Sequence, residues 1–335
     1  MHHYFLRTRR RHAQSEDRKV RIPIEGPKPH SPLWYSQRRF NPESERPVVF
    51  GASIAAAVCG MSEYRTPLYI FRECMGLIEE AEGTKLAERR KRIGLKMEPV
   101  IIEEYAIETG NEVDSPLPCY FHPDHQFIGA TPDGMVLADG EWNHPLDCKD
   151  SGFRMAASYG EEGTDELPDD YLVQAQQQML VMDCDLQETA VMMDRTLRIY
   201  RVEKNTDLQE CIVEAATELF ERLKNNDPPE PSWEHPSTPK LVKSLFGITE
   251  SLTIELPEEI TIYWQQKKDA RRQIGELEKL EDALKARVAF AMQDAAVGLL
   301  PGGKQITRSI VNVKESFREA YSYQKMSESK AKGSK

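Results

Sequence analysis

Phe127-Ile-Gly-Ala-Thr-Pro-Asp133-Gly-Met-Val-Leu137 is followed, after a polar gap, by Leu146-Asp147-Cys148-Lys149-Asp150, and the reading of this stretch decides the fold. It reads as two short strands. The first ends in a Pro-Asp-Gly turn, whose Asp and Gly suit a tight bend. In the second, Asp147 and Lys149 point to one face and Leu146 and Cys148 to the other, because side chains alternate along a strand. One acid on a turn is thereby set beside an acid and an amine on a single strand face. Two convergent carboxylates attract a hard divalent cation, normally Mg2+, whose shell is completed by waters and substrate phosphate. A neighbouring ammonium can steer an attacking water or stabilise charge on the phosphoryl group. Phosphodiester cleavage is the chemistry that fits best. The bland alternative is a surface hairpin with a solvated charge pair, and the rest of the chain decides between them.

With 335 residues, 39% hydrophobic and 30% charged, the chain has core material for one large domain or for a core with an appendage. No apolar run reaches the roughly 18 residues of a membrane span. Arg7, Arg9, Arg10 and Arg11 have no apolar segment behind them, so a secretory signal is not expected. The six cysteines are scattered without Cys-x-x-Cys spacing, which argues against a zinc ribbon and for reduced thiols in the cytoplasm. A net charge of −11 argues against a passive nucleic-acid coat, while an enzyme gripping DNA in a local channel can still be acidic overall.

Outward from the central stretch, residues 1–30 are polar, basic and Pro-dotted, and read as a flexible arm. Folded structure is expected from residue 31, with a helical turn over 34–38 and a loop over 41–47. Ser53 fits the N-cap of a short helix over 54–58 closed by Gly60. A second helix runs from Thr66, with Pro67 at its first position and Gly76 at its end. Residues 77–92 are charged and read as partly exposed. From 94 to 109 the spacing of Met97, Ile101 and Tyr105 is helical. Glu98 shares that apolar face, so its carboxylate is expected to point inward, towards a salt bridge or a metal.

Strands are expected at 126–130, 135–138 and 146–149, then a helix over 171–182 with Gln174 and Gln178 one turn apart. Two alternating strands at 188–194 and 196–203 and a helix over 207–224 complete an α/β core over 31–227. Residues 228–240 form a Pro-rich linker. Beyond it, 241–326 is expected to be mainly helical. Ile274, Leu277, Leu280, Leu284, Val288 and Ala291 make a narrow apolar seam there. A hairpin strand is expected over 304–313, and 327–335 should fray.

Six pieces in register now resemble one family: Trp34-x3-Arg38, Gly51-Ala-Ser53, Gly94-x3-Glu98, Thr131-Pro-Asp133-Gly, Asp147-x-Lys149 and Tyr171-x2-Gln174-x3-Gln178-Met-Leu. The chain is similar to the YqaJ-type viral recombinases, the lambda-exonuclease branch of the PD-(D/E)xK nucleases, over about residues 33–203. The resemblance implies a restriction-endonuclease-like core, a central mixed sheet flanked by helices, with a helical C-terminal extension. It implies Asp133 and Asp147 as ligands of Mg2+ (Mn2+ substituting), with Glu98 assisting, and Lys149 as the group that orients the water. Gln174 would line the site, and Arg38 and Ser53 would hold a terminal 5′-phosphate. The implied activity is digestion of double-stranded DNA ends from 5′ to 3′, leaving 3′ single strands for an annealing protein; the alternatives are an endonuclease of a restriction or defence system on the same core, or a non-catalytic DNA-binding relative that kept the fold. A trimeric ring around the duplex and a phage or prophage origin in a bacterial cytoplasm go with it. The sequence departs from the family in Asp147, where Glu is usual, in the charge of Asp150 beside it, and in the insertion at 41–47.

Overall fold

The computed structural model describes residues 22–44, 47–78, 85–246 and 252–311. The arm over 1–21, the residues at 45–46 and 79–84, and the tail lie outside the described residues. The chain divides into two compact units, Met1–Ile248 and Thr249–Lys335.

The first unit begins with β1 (Ile24–Glu25), α1 (Pro32–Ser36) and β2 (Phe50–Gly51), then a tight 3₁₀ turn (Ala52–Ile54) and α2 (Ala55–Val58). α3 (Pro67–Cys74) and α4 (Lys85–Thr109) follow, then β3 (Val113–Asp114), β4 (Tyr120–Phe121), β5 (Ile128–Ala130), β6 (Gly134–Ala138) and β7 (Glu141–Ser151). After α5 (Asp169–Met182) come β8 (Leu186–Met193), β9 (Thr196–Glu203), α6 (Thr206–Asn225) and α7 (Thr238–Leu245). This is an α/β fold with two mixed sheets. The larger has the order β3-β6-β7-β8-β9 and the smaller β1-β4-β5-β2. β7 and β8 are parallel, with Asp147 beside Thr189 and Lys149 beside Val191. Parallel neighbours need a crossover, and α5 supplies it.

β7 is covered on both faces. Leu146 and Cys148 pack with Ile101 and Tyr105 of α4, while Val191 and Tyr200 of β8 and β9 meet Ala175 and Met179 of α5. The two faces are the two faces of the alternation, so Asp147 and Lys149 lie on the α5 side.

α5 carries three consecutive buried glutamines, each with its own task. Gln177 Nε2 donates to the carbonyls of Phe50 and Gly129, both at 2.8 Å, and so ties α5 to the parallel pair β2–β5. Gln176 donates to the Glu203 carbonyl and accepts from the Asn205 backbone N–H, clamping the entrance of α6. Gln178 points to the acids.

Several expectations change. Ile24–Glu25 pairs with Tyr120–Phe121, so folded structure reaches back into the segment read as an arm. Two-residue strands leave no periodic signal. α4 starts at Lys85, not at 94, because its first turns are exposed and carry no apolar stripe; their Lys, Arg, Glu and Ala content still favours helix. Pro99 lies inside α4 and has no N–H to offer the Leu95 carbonyl. Ser53 is not an N-cap: it sits inside the 3₁₀ turn, and α2 begins after Ile54 with no side-chain cap. Thr66 does cap α3, accepting from Tyr69 N–H. The first unit runs past the Pro-rich stretch at 228–240, since α7 buries Thr238 and Leu241. β7 is much longer than 146–149, because residues 141–145 continue the antiparallel pairing with β6.

The second unit holds α8 (Glu259–Met292) and a hairpin of β10 (Val297–Leu299) with β11 (Gln305–Thr307). Among the described residues no helix is long and apolar enough to cross a membrane.

Candidate active site

The approach of β3 shapes the Pro-Asp-Gly turn. Gly134 does not have a positive φ; instead a Cβ there would meet Val113 Cγ1 at 2.5 Å. Glycine is required for a close approach, not for a left-handed bend. Ser115 Oγ donates to the Asp133 carbonyl at 2.7 Å, and Asp133 Oδ2 accepts the Cys148 backbone N–H at 2.6 Å. The acid is thus drawn onto β7, next to Asp147.

Asp147 is 3% exposed and fully engaged. Its Oδ2 pairs with Lys149 Nζ at 2.6 Å, and its Oδ1 accepts from Gln174 Nε2 at 2.8 Å and Gln178 Nε2 at 3.2 Å. Lys149 Nζ donates in turn to Gln174 Oε1 at 3.3 Å and lies 4.9 Å from the Tyr171 ring centroid. Gln174 therefore closes a small ring of contacts linking the acid and the amine. α5 presents Tyr171, Gln174 and Gln178 on one face, since residues three and four apart on a helix are neighbours.

The electrostatics follow from burial. Burial, and then the negative charge of Asp147, push the Asp133 carboxyl up to about 8. Burial works against the charge of Lys149, but Asp147 and Asp133 outweigh it and hold the ammonium above its ordinary range. Lys149 is therefore a cation at neutral pH, a donor and not a proton acceptor. Burial also raises Glu98, with Lys149 opposing and Asp147 adding to the shift.

Asp133, Asp147, Lys149, Gln174 and Gln178 open into one cavity of about 1050 Å3. Glu98, Ser53 and Arg38 line the same cavity. Among the described residues no three His, Cys, Asp or Glu side chains cluster closely enough to hold an ion. Glu98, expected to assist the metal, lines the cavity close enough for its charge to bear on Asp133 and Asp147, without completing such a three-residue cluster. The pair itself suits Mg2+, which takes one or two carboxylates and keeps water or phosphate in its remaining positions. Two adjacent carboxylates, one of them driven towards protonation, are also what a cation would relieve. Arg38 stacks its guanidinium over Trp34, 3.6 Å from the ring centroid.

Sequence reasoning did not assign Gln178 a role, although Gln174-x3-Gln178 was the available signal. It also missed Lys28 and His30 of the cavity wall, which sit in the stretch read as an arm. A further buried network lies on the other face of the sheet. Glu188 Oε2 accepts from the Tyr105 hydroxyl and pairs with His144 Nε2 at 3.3 Å, while Oε1 meets Arg201 Nε at 2.9 Å. Burial would raise Glu188, but the hydrogen bonds from His144 and Tyr105 hold it below the ordinary carboxylate range. This network fastens α4, and with it Glu98, to the strands that carry the acids.

Residues 34–185 match the family model of the YqaJ-like viral recombinase domain. The chain is 22% identical over 288 residues to the uncharacterized protein YqaJ of Bacillus subtilis (strain 168), covering 83% of this chain and 88% of that one. Among solved structures it is similar to an alkaline exonuclease from Laribacter hongkongensis, with 19% identity, 53% of this chain and 89% of the other covered, and a TM-score of 0.42. A phage-related exonuclease from Haemophilus somnus 129PT is 14% identical, with 53% and 96% covered and a TM-score of 0.38.

Proposed function

We propose, for a chain whose residues 34–185 match the model of the YqaJ-like viral recombinase domain, that it is a metal-dependent deoxyribonuclease that digests double-stranded DNA from its ends. One observation carries the reading: Asp133, Asp147, Lys149 and Gln174 converge at a cavity that Arg38 and Ser53 also line. A surface hairpin with a solvated charge pair would not bury Asp147 or surround it with two amides and an ammonium.

Asp133 and Asp147 would hold Mg2+, with Mn2+ able to substitute, and Glu98 would assist from α4. When bound, the ion supplies Lewis-acid polarisation of the scissile phosphate. Gln174 and Gln178 fix the Asp147 carboxylate, so that it meets a cation in one orientation. Lys149, held as an ammonium, donates to the attacking water or to a phosphoryl oxygen and offsets the charge that develops there. Water oxygen bonds to phosphorus as the bond to the leaving oxygen breaks, and the proton released from water ends on that oxygen. Arg38, stiffened by Trp34, and the exposed Ser53 hydroxyl would hold a terminal 5′-phosphate. That placement favours attack from a 5′ end and leaves a 3′ single strand as product, for use by an annealing partner in phage-type recombination. A ring of copies enclosing the duplex would keep the enzyme on its track.

The test is a gel assay with and without Mg2+ on linear duplexes bearing 5′-phosphate or 5′-hydroxyl ends and on a covalently closed circle. Mg2+-dependent loss of the 5′-phosphorylated linear DNA, with the circle intact, is expected. Cutting of the circle would overturn end-directed digestion, and survival of every substrate in Mg2+ would overturn the nuclease.

A further inference from the structure

α8 is 34 residues long and buries none of them. Most helices in proteins owe their stability to packing of an apolar face. Here Ile274, Leu277, Leu284 and Val288 are 45%, 64%, 50% and 40% exposed. Together with Ile260, Tyr263 and Ala270 upstream, they keep the alternating three- and four-residue step of a coiled-coil seam. Two charges interrupt the seam, Lys267 and Glu281, on either side of Ile274. Within the single helix, Lys267 lies over the Trp264 ring and Glu281 pairs with Lys285.

The order of charges decides how a second helix can lie on this seam. In a parallel, in-register pair, seam residues face their own copies, so Lys267 would meet Lys267 and Glu281 would meet Glu281. In an antiparallel pair with Ile274 of each copy on Leu277 of the other, Lys267 enters the hole bounded by Glu281 and Leu284 of the second copy. The flanking positions in that register bring Arg271 against Glu278, and the two-fold axis repeats both contacts. Lys267, Lys268, Arg271 and Arg272 precede Ile274, while Glu276, Glu278, Glu281 and Asp282 follow it among Lys279, Lys285 and Arg287, so the two opposite-charge contacts form only when the helices run in opposite directions.

We propose that α8 is a self-association helix, and that its seam is covered by α8 of a second copy of this chain, antiparallel and crossing between Ile274 and Leu277. Whatever assembly the first unit makes, this contact doubles it.

The test uses the full chain. Light scattering after size-exclusion chromatography should give a mass that halves in Lys267→Glu/Arg271→Glu, with association weakened at least roughly tenfold by four reversed contacts. Adding Glu278→Arg and Glu281→Lys to that variant should restore the mass. Direction is read separately in a Cys211→Ser background, which removes the exposed thiol. A short bis-maleimide should join Leu277→Cys copies, which lie near the axis, and should not join Val288→Cys copies. A mass unmoved by the charge reversals would overturn the proposal, including the case in which the seam packs within its own chain. Linkage at both cysteine positions would indicate a parallel pair and overturn it equally.

Discussion

Asp133→Asn separates what the buried carboxylate pair costs the fold from what it does for a ligand. The carboxyl ordinarily titrates near 3.8 and is pushed up to about 8 in the fold, by burial first and by Asp147 second. A raised native value for an acid means that ionisation opposes folding. Between those two pH values the folded chain keeps a proton that the unfolded chain has released, so stability falls as pH rises across the window. At about 1.36 kcal/mol per unit, a shift of this size is on the order of 5 kcal/mol. Asp133 is partly open to the cavity, and solvent screening returns about half, leaving about 2–3 kcal/mol. Asn keeps an acceptor for the Cys148 N–H and cannot ionise. In EDTA at pH 8 the variant should therefore melt above the parent, by about 5–10 °C for a unit of this size. The gap should close towards pH 4, and Mg2+ should raise the melting temperature of the parent alone. A variant less stable than the parent in EDTA at pH 8, or a gap that grows on acidification, would refute the argument.

Lys149→Met removes the ammonium that holds Asp147 Oδ2 at 2.6 Å. Calorimetry should show tighter Mg2+ binding, turnover should fall by about a hundredfold, and the metal-free protein should lose about 3 kcal/mol in urea. Gln178→Leu deletes one of two amide donors to Asp147 together with an Oε1 that has no partner among the described residues. Turnover should drop by about 10–100-fold with a small change in melting temperature, as for other groups that hold a metal ligand in place. Gln177→Leu should do the reverse: two buried carbonyls on β2 and β5 lose their donor. The urea midpoint should fall by the equivalent of about 2–4 kcal/mol with Mg2+ affinity unchanged.

What could be read from sequence divides along physical lines. The alternation at 146–149 put Asp147 and Lys149 on one face, because period two is a property of any strand, and the structure keeps that division between α5 and α4. The helices that bury a stripe, α5 and α6, were legible within about two residues, whereas the start of α4 was not, since exposed turns carry no periodic signal. Gly134 had the right residue and the wrong reason: its constraint comes from Val113 on another strand, a contact that no local pattern encodes. Ser53 looked like a cap because the 3₁₀ turn that displaces it is set by tertiary packing. Asp133, Asp147, Lys149 and Gln174 were legible as a set only because motif spacing coincided with strand and helix periods. Gln178 escaped because an amide one turn further along a helix has several bland explanations until its acceptor is seen.

Hydrolysis of DNA by this chain, as proposed, depends on a cation held between Asp133 and Asp147. The most direct measurement is release of acid-soluble nucleotides from linear duplex DNA in Mg2+ by the parent chain and by Asp147→Asn, each shown to be folded by its melting curve. Release by the parent that vanishes in EDTA, with none above background from the variant, is the predicted result. Equal release from both chains, or Mg2+-independent release by the parent, would contradict it.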